Sequence, residues 1–152
     1  MPALRFRVKS AWNPRGLWRD IVIGENRTLE DLHRGINHGF GLDFDHLWFF
    51  ARGQKYWGSG ARFVHPVELE EAYYDEWPGV RGEARDAGET PLSDLNLKVR
   101  DRLSYLFDYG GEWRFYMILK GEIEDEPSDK EPEVVKGEGE KIENQYGPGL
   151  PR

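Results

Sequence analysis

Apolar and polar residues alternate at the beginning of the chain. From Leu4 to Val8 every second residue is apolar, and Arg5, Arg7 and Lys9 occupy the positions in between and after. A period of two is typical of a strand that buries one face, so we predict a strand with a charged outer face. The turn residues "NPRG" and the apolar stretch "LWRDIVIG" predict its hairpin partner. We interpret the charged face as a solvated edge, with a binding strip as the alternative.

The stretch "TLEDLHRGINHGFG" changes to a helical period. Thr28 and Asp31 have the spacing of a capping box, and Gly41 can end the helix. The apolar positions on one helical face are Leu29, Leu32, Ile36 and Phe40. We therefore predict one main helix that packs this face on the hairpin.

The second half of the chain is less regular. "HLWFFA" at residues 46–51 is apolar at consecutive positions, which predicts a central strand buried on both faces. Residues 53–91 show no sustained period and form an irregular insertion, in which "KYW" and "ARFV" could pair as a short hairpin. Alternation returns at residues 103–109 and 113–119, which predict two strands separated by a glycine pair.

These elements predict a single α+β domain. Residues 1–123 would form the core domain, and residues 124–152 an acidic, Pro- and Gly-rich C-terminal arm with too few apolar residues for a second core. The net charge of −7 is uneven, since residues 120–152 carry −5 and residues 1–119 carry −2. Duplex DNA binding through phosphate contacts needs clustered Lys and Arg, so the charge argues against it.

Several classes of chemistry lack their residues. The chain has no cysteine, which excludes disulfides, thiolate zinc sites and cysteine nucleophiles and fits a reducing compartment. There is no signal-peptide pattern and no stretch long enough to span a bilayer, so we expect a cytoplasmic protein with no membrane segment. No nucleotide-binding glycine loop occurs, and we expect no cofactor.

The stretch "FDYGGEW" at residues 107–113 can be a turn or a site. As a turn, Gly110 and Gly111 would supply the positive φ angles of a type I′ hairpin, and Asp108 would accept hydrogen bonds from turn amides. As a site, Asp108 and Glu112 would hold a cation or a basic group of a partner. The turn is our first interpretation.

One histidine could join that site. His46 directly precedes the predicted central strand. With Asp108 and Glu112, and with Asp43 and Asp45 nearby, it would supply the nitrogen and oxygen ligands of a metal site, provided that the fold brings them together. Capping or hydrogen bonding to the backbone is the structural alternative.

Four aromatic residues lie in the polar insertion: Trp57, Tyr73, Tyr74 and Trp77. Exposed aromatic side chains are typical anchors for a partner, so these four are a candidate binding surface for a protein or peptide. Local packing within the insertion is the alternative.

The order of several motifs resembles a known family. "LWRDI", the "TLEDLH" helix ending in "GFG", "DHLWFF", "LSDL" and an aromatic-Asp-aromatic-Gly stretch ending in Trp together resemble the plasmid pRiA4b ORF-3-like family, over about residues 4–148. This family includes proteins labelled as passengers of an insertion element. The resemblance implies a β-grasp-like mixed sheet with one packed helix, and a closing segment that can fold back over the body. It implies no established biochemical function.

The chain departs from the hallmark of that family, which resembles Y-D-F-G-D-x-W-x-H. Asp108, Gly110 and Trp113 match it, but Gly111 replaces the second Asp and Phe115 replaces the His. An Asp and His pair is what a metal or acid-base site would use, so both departures weaken that interpretation.

Three functions follow from these observations. The first is a non-catalytic protein or peptide interaction module, linked to mobile or plasmid genes, that binds through residues 53–91 or a sheet edge. The second is a metal-assisted enzyme built on His46, Asp108 and Glu112. The third is a weak single-stranded nucleic-acid binder that uses the outer strip from Arg5 to Lys9.

Overall fold

The computed structural model describes residues 2–42, 46–54, 56, 61–69 and 84–142. Within these residues the chain forms one α-helix and eight strands that belong to one sheet. The elements are β1 Ala3–Ser10, β2 Trp18–Gly24, α1 Leu29–Phe40, β3 Trp48–Arg52, β4 Arg62–Val64, β5 Ala84–Asp86, β6 Arg102–Phe107, β7 Trp113–Ile123 and β8 Glu133–Glu138. In this described part, no helix is both long and apolar enough to cross a membrane.

The sheet is mixed, and its strand order is β5, β4, β3, β6, β7, β1, β2, β8. Neighbouring strands are antiparallel except for β4 and β5, which are parallel. One helix on a mixed sheet confirms the α+β class. Strand β3 has partners on both sides, as predicted. The prediction of a solvated edge at β1 is wrong, because β1 lies between β7 and β2 and its cations belong to a face of the sheet.

The helix forms as its sequence predicts. Thr28 Oγ1 accepts a hydrogen bond from Asp31 N at 3.2 Å, and Asp31 Oδ2 accepts one from Thr28 N at 3.1 Å, which is a capping box. Gly41 ends α1 in the left-handed conformation, with φ of 77°. The buried apolar face is Leu29, Leu32, Ile36 and Phe40. This face and one side of the sheet enclose the main hydrophobic core.

The insertion contributes strands rather than a hairpin of its own. Strand β4 pairs with β3 on one side and with β5 on the other, so no edge of "ARFV" is left for the predicted pairing with "KYW", of which Lys55 and Trp57 lie outside the described residues. Phe63 lies opposite Phe50 and Val64 opposite Phe49, which extends both apolar faces of β3. A second, smaller core forms there on the side of the sheet away from α1 and contains Phe49, Ala51, Val64 and Leu106.

Part of the acidic arm is a strand of the sheet. Strand β8 pairs antiparallel with β2, and Gly24 N donates a hydrogen bond to Lys130 O at 2.9 Å. The arm then passes close to α1. A Cβ added at Gly35 would lie 2.8 Å from Pro132 Cβ, and one at Gly39 would lie 3.0 Å from Val134 Cγ2. Glycine lowers helix stability by about 1 kcal/mol relative to alanine, and here its lack of a side chain makes room for the arm.

Candidate functional site

The hairpin between β6 and β7 is longer than predicted. The last paired residues are Phe107 and Trp113, and Glu112 N donates to Asp108 O at 2.6 Å. Positive φ angles occur at Asp108 (67°) and Glu112 (49°) and not at the two glycines, so the predicted type I′ turn at Gly110 and Gly111 is wrong. A two-residue turn at Gly110 and Gly111 would require the strands to pair as far as the residues next to the glycines, but pairing ends at Phe107 and Trp113. Asp108 Oδ1 does accept from Gly110 N at 3.1 Å, as predicted.

The structure brings together two of the three predicted metal ligands. His46 Nδ1 lies 3.7 Å from Asp108 Oδ1. The third residue, Glu112, is held by Arg114, whose Nη2 lies 2.6 Å from Glu112 Oε1. Among the described residues no group of three His, Cys, Asp or Glu side chains is placed to hold a metal ion. Asp43 and Asp45 lie outside the described residues.

The candidate aromatic surface of the insertion also falls outside the described part of the chain. This applies to Trp57, Tyr73, Tyr74 and Trp77. Their role as a binding surface stays a prediction.

A different surface is formed where β6, β7, β1 and β2 turn their outer side chains away from α1. We call it the basic face. Its cations are Arg5, Arg7, Lys9, Arg102, Arg114 and Lys120. Its aromatic residues are Trp18, Tyr116 and Tyr56, the last of which follows β3 and donates its hydroxyl to Phe115 O at 2.9 Å. The strands supply these side chains because every second residue of β1 and β7 points to the main core.

One row of the basic face crosses three strands. Lys9 of β1 lies opposite Tyr116 of β7 on one side and opposite Trp18 of β2 on the other. All three side chains are partly exposed, and Lys9 forms no ion pair within the described residues. Neighbouring strands are about 4.8 Å apart, so the two aromatic positions lie about 10 Å apart with the lysine between them.

The next row carries guanidinium groups stacked on those rings. Arg102 and Arg7 both lie opposite Ile118. The Cζ atom of Arg7 lies 4.3 Å from the centre of the Trp18 ring, and that of Arg102 lies 4.0 Å from the centre of the Tyr116 ring. These are cation–π contacts, in which each guanidinium keeps its positive charge.

Two of the cations share one buried acid. Asp20 is 1% exposed, and it accepts hydrogen bonds from Arg5 Nη2 at 2.7 Å and from Arg7 Nε at 2.8 Å. One carboxylate cannot neutralise two guanidinium groups, so a net positive charge remains at this pair.

A second aromatic and arginine cluster lies beside these rows. The Cζ atom of Arg114 lies 4.8 Å from the centre of the Tyr56 ring. Burial raises the pKa of Tyr56, although the nearby Arg102 and Arg114 act in the opposite direction. Arg102 and Lys120 form no ion pair with an acidic side chain among the described residues. The face therefore concentrates positive charge on a protein whose net charge is −7.

Two other polar clusters are structural. Under α1, Tyr105 and Asn37 form a buried hydrogen-bonded group with His33, which stacks on Trp48 with ring centres 4.0 Å apart. Burial lowers the pKa of His33 and, together with the charges of His65 and Arg34, brings it to about 3. His33 is therefore a neutral hydrogen-bonding residue at physiological pH.

The second polar cluster lies on the smaller core. Arg62 Nη2 lies 2.9 Å from Glu68 Oε2, and Tyr109 donates its hydroxyl to Glu68 Oε1. Glu68 is fully buried and Arg62 nearly so. The charge of this buried acid is compensated within the fold by Arg62, and the cluster fixes the 3₁₀ turn Pro66–Leu69 on the sheet.

The described surface also has a groove of about 290 Å³ between α1 and the arm. Its arginines are engaged by its own acids. Arg34 lies 3.3 Å from Asp31 and 3.6 Å from Glu30, and Arg27 lies 3.9 Å from Glu131. The groove therefore offers less uncompensated charge than the basic face.

Sequence reasoning found the cations of β1 but not the face to which they belong. Sequence reasoning assigns no function to Trp18, Tyr116, Arg102 or Arg114. The alternation of "WRFYMILK" does place Arg114, Tyr116 and Lys120 on one side of a strand. That signal could have suggested the face, but only the strand order brings it next to β1.

Comparisons with known proteins agree with this fold. The model of the family described as "Plasmid pRiA4b ORF-3-like protein" matches residues 2–149. No curated protein gives a significant match. A solved structure, that of the protein of unknown function MM3350 from Methanosarcina mazei Go1, is similar with a TM-score of 0.67 and 20% sequence identity, over 90% of this chain and 69% of that one. At this identity the likeness shows the fold alone. The match over nearly the whole chain shows that this protein belongs to the plasmid pRiA4b ORF-3-like family.

Proposed function

We propose that this protein is a non-catalytic binding module that receives an anionic partner on the basic face. The observation that carries the proposal is the row of Tyr116, Lys9 and Trp18, in which Lys9 has no acidic partner among the described residues. The guanidinium groups of Arg7 and Arg102 border this row. Arg5, Arg7 and Lys9 lie on one face of the interior strand β1, where their like charges repel one another. An anionic partner would reduce this repulsion.

The net charge of −7 is compatible with this proposal. At physiological ionic strength the Debye length is about 8 Å, so an anion on the face interacts mainly with the charges nearest to it. Across β6, β7, β1 and β2 those charges are the six cations named above and the buried Asp20, joined at one end by Glu112. The acidic arm adds charges of both signs beside β2, because on the edge strand β8 Glu138 lies opposite Trp18 and Lys136 lies opposite Asp20.

The basic face is partly exposed where a partner would lie. Lys9, Tyr116 and Trp18 are neither buried nor fully exposed, as expected for side chains that lie flat on an open sheet. A Cβ added at Gly121, opposite Arg5, would meet no atom within 4 Å. These features support access from solvent and suit an extended partner that follows the strands.

The test is binding of fluorescent poly-glutamate and of fluorescent heparin, measured by anisotropy at low salt. The variant Lys9→Gln with Lys120→Gln should weaken binding by roughly 3- to 30-fold. The matched control is Arg34→Gln with Arg85→Gln, which removes the same charge from exposed positions off the basic face and should bind as the parent does. The proposal fails if no anionic probe binds, or if both double variants lose affinity equally.

The aromatic surface of the insertion remains the alternative binding site. If a partner binds through Trp57, Tyr74 and Trp77, then changing these residues to Ala should abolish binding of that partner, and the Lys9 and Lys120 variant should leave it intact. The insertion variant and the Lys9 and Lys120 variant together therefore show which of the two surfaces binds the partner.

A further inference from the structure

We infer that the anionic partner of the basic face is a single-stranded nucleic acid. This inference rests on the proposed function and narrows it from anions in general to one class of polymer. It follows from the way in which aromatic rings and cations are interleaved on β7, β1 and β2, and not from the charge alone.

An acidic peptide would need only the cations. Here the two residues that flank Lys9 in its row are both aromatic, and each ring carries an arginine from the neighbouring row. Nucleobases stack on aromatic rings and on guanidinium planes, whereas phosphates pair with lysine and arginine. The basic face offers both kinds of contact on neighbouring strands.

The spacing suits a polymer with alternating bases and phosphates. Tyr116 and Trp18 are two strands apart, which is about 10 Å, and Arg7 and Lys9 are two residues apart on β1, which is about 7 Å. Flat sheets that present aromatic residues in this way can stack two or three unpaired bases. The partly exposed Ile118, between Arg7 and Arg102, adds an apolar contact in the second row.

A duplex fits the same surface poorly. Its bases are stacked on each other and its grooves accept a helix or a two-stranded ribbon, not the face of a broad sheet. Phosphate contacts alone would leave the aromatic residues unused.

The deciding experiment uses the full chain and a fluorescent single strand of about 12 nucleotides, within the usual range of site sizes. The variant Tyr116→Leu removes one ring without changing the charge, and Tyr116→Phe keeps the ring. We expect Tyr116→Leu to weaken binding of the single strand by about 5- to 100-fold and Tyr116→Phe to leave it within about twofold. Neither should change binding of poly-glutamate. Thermal melting checks that both variants are folded.

Salt dependence gives a second readout. The affinity for the single strand should fall with salt, and Lys9→Gln should reduce the slope of log K against log salt by about 0.7. Tyr116→Leu should lower the affinity without changing the slope, because a stacking contact releases no counterions.

The outcomes separate the two proposals. If poly-glutamate or heparin binds but the single strand does not, or if Tyr116→Leu binds the single strand as the parent does, this inference is overturned and the proposed function stands. If a duplex of the same sequence binds more tightly than the single strand, stacking is not the mode and the inference is also overturned. If none of these anions binds, both proposals fail.

Discussion

Arg7 and Asp20 lie directly opposite each other on β1 and β2, and Arg7 Nε donates a hydrogen bond to Asp20 Oδ1 at 2.8 Å. Burial of Asp20 would by itself raise its pKa, but the hydrogen bonds and charges of Arg7 and Arg5 outweigh burial and hold that pKa below its usual value. Asp20 is thus ionised and holds two arginines in fixed positions on the basic face. It stabilises the fold and partly masks the charge that a partner would use.

These two roles have opposite consequences in Asp20→Asn. Loss of a charged hydrogen-bond acceptor should lower the free energy of unfolding by about 1–3 kcal/mol, measured by urea denaturation. The same variant should bind an anionic probe more tightly, because Arg5 and Arg7 lose their only acidic partner among the described residues. A folded Asp20→Asn protein that binds anions more weakly than the parent would contradict the assignment of this face.

The buried His33 predicts a loss of stability in mild acid. Its pKa is about 3 in the folded protein, mainly because it is buried, whereas an unfolded histidine has a pKa of about 6.5. The unfolded state therefore binds more protons below pH 6.5, and stability falls as the pH is lowered from there toward 3. One such group contributes at most about 1.4 kcal/mol per pH unit.

The comparison variant is His33→Phe, which can keep a ring against Trp48 but cannot titrate. Urea denaturation of both proteins between pH 7 and pH 4.5 isolates the contribution of His33, since the other histidines are common to both and Asp20 titrates at lower pH. We expect the parent to lose more stability than the variant over this range. Parallel curves would mean that His33 binds a proton as readily in the folded protein as in the unfolded one.

The helix and the hairpin strands could be predicted because their signals are local. The capping pair Thr28 and Asp31 and the apolar period of α1 lie within a few residues of each other, and the alternation in β1 needs no knowledge of its neighbours. The α+β class follows from those elements. The finer likeness to a β-grasp sheet stays a prediction.

The basic face could not be predicted because it depends on strand order. Periodicity indicates which side chains share a face of β1, but not that β7 and β2 are its neighbours. Lys9 meets Tyr116 only through the pairing of β1 with β7, two strands that are far apart in the sequence. Without that pairing, three charged residues on a strand are most simply explained as a solvated edge. The prediction of a type I′ turn between β6 and β7 is wrong for a similar reason. The register that ends these strands at Phe107 and Trp113 is set by the whole sheet.

The contact between α1 and the arm predicts that an alanine at Gly35 destabilises the protein. In Gly35→Ala the new Cβ would lie 2.8 Å from Pro132 Cβ, and a proline ring cannot easily move aside. Overpacking of this kind costs about 1–3 kcal/mol, which exceeds the gain of about 1 kcal/mol in helix propensity. We expect Gly35→Ala to lower the thermal midpoint.

The matched control is Gly121→Ala on β7, where a Cβ would have open space. This substitution should raise stability by roughly 0.5–1 kcal/mol, because alanine loses less conformational entropy than glycine on folding. Should Gly35→Ala prove as stabilising as Gly121→Ala, the arm would not be packed on the helix in solution.

The His46 and Asp108 pair predicts the result of adding metal ions. These two side chains are 3.7 Å apart, but the third predicted ligand, Glu112, forms an ion pair with Arg114. Two ligands hold a metal weakly, and an ion that binds the folded state must raise the thermal midpoint by mass action. We therefore expect zinc, manganese, magnesium and calcium to leave the midpoint unchanged relative to a sample with EDTA. A rise for one of these metals that disappears in Asp108→Ala would instead support the metal-assisted enzyme. In that case Arg114→Gln, which frees Glu112, should increase the shift further and would identify the hairpin end as the metal site.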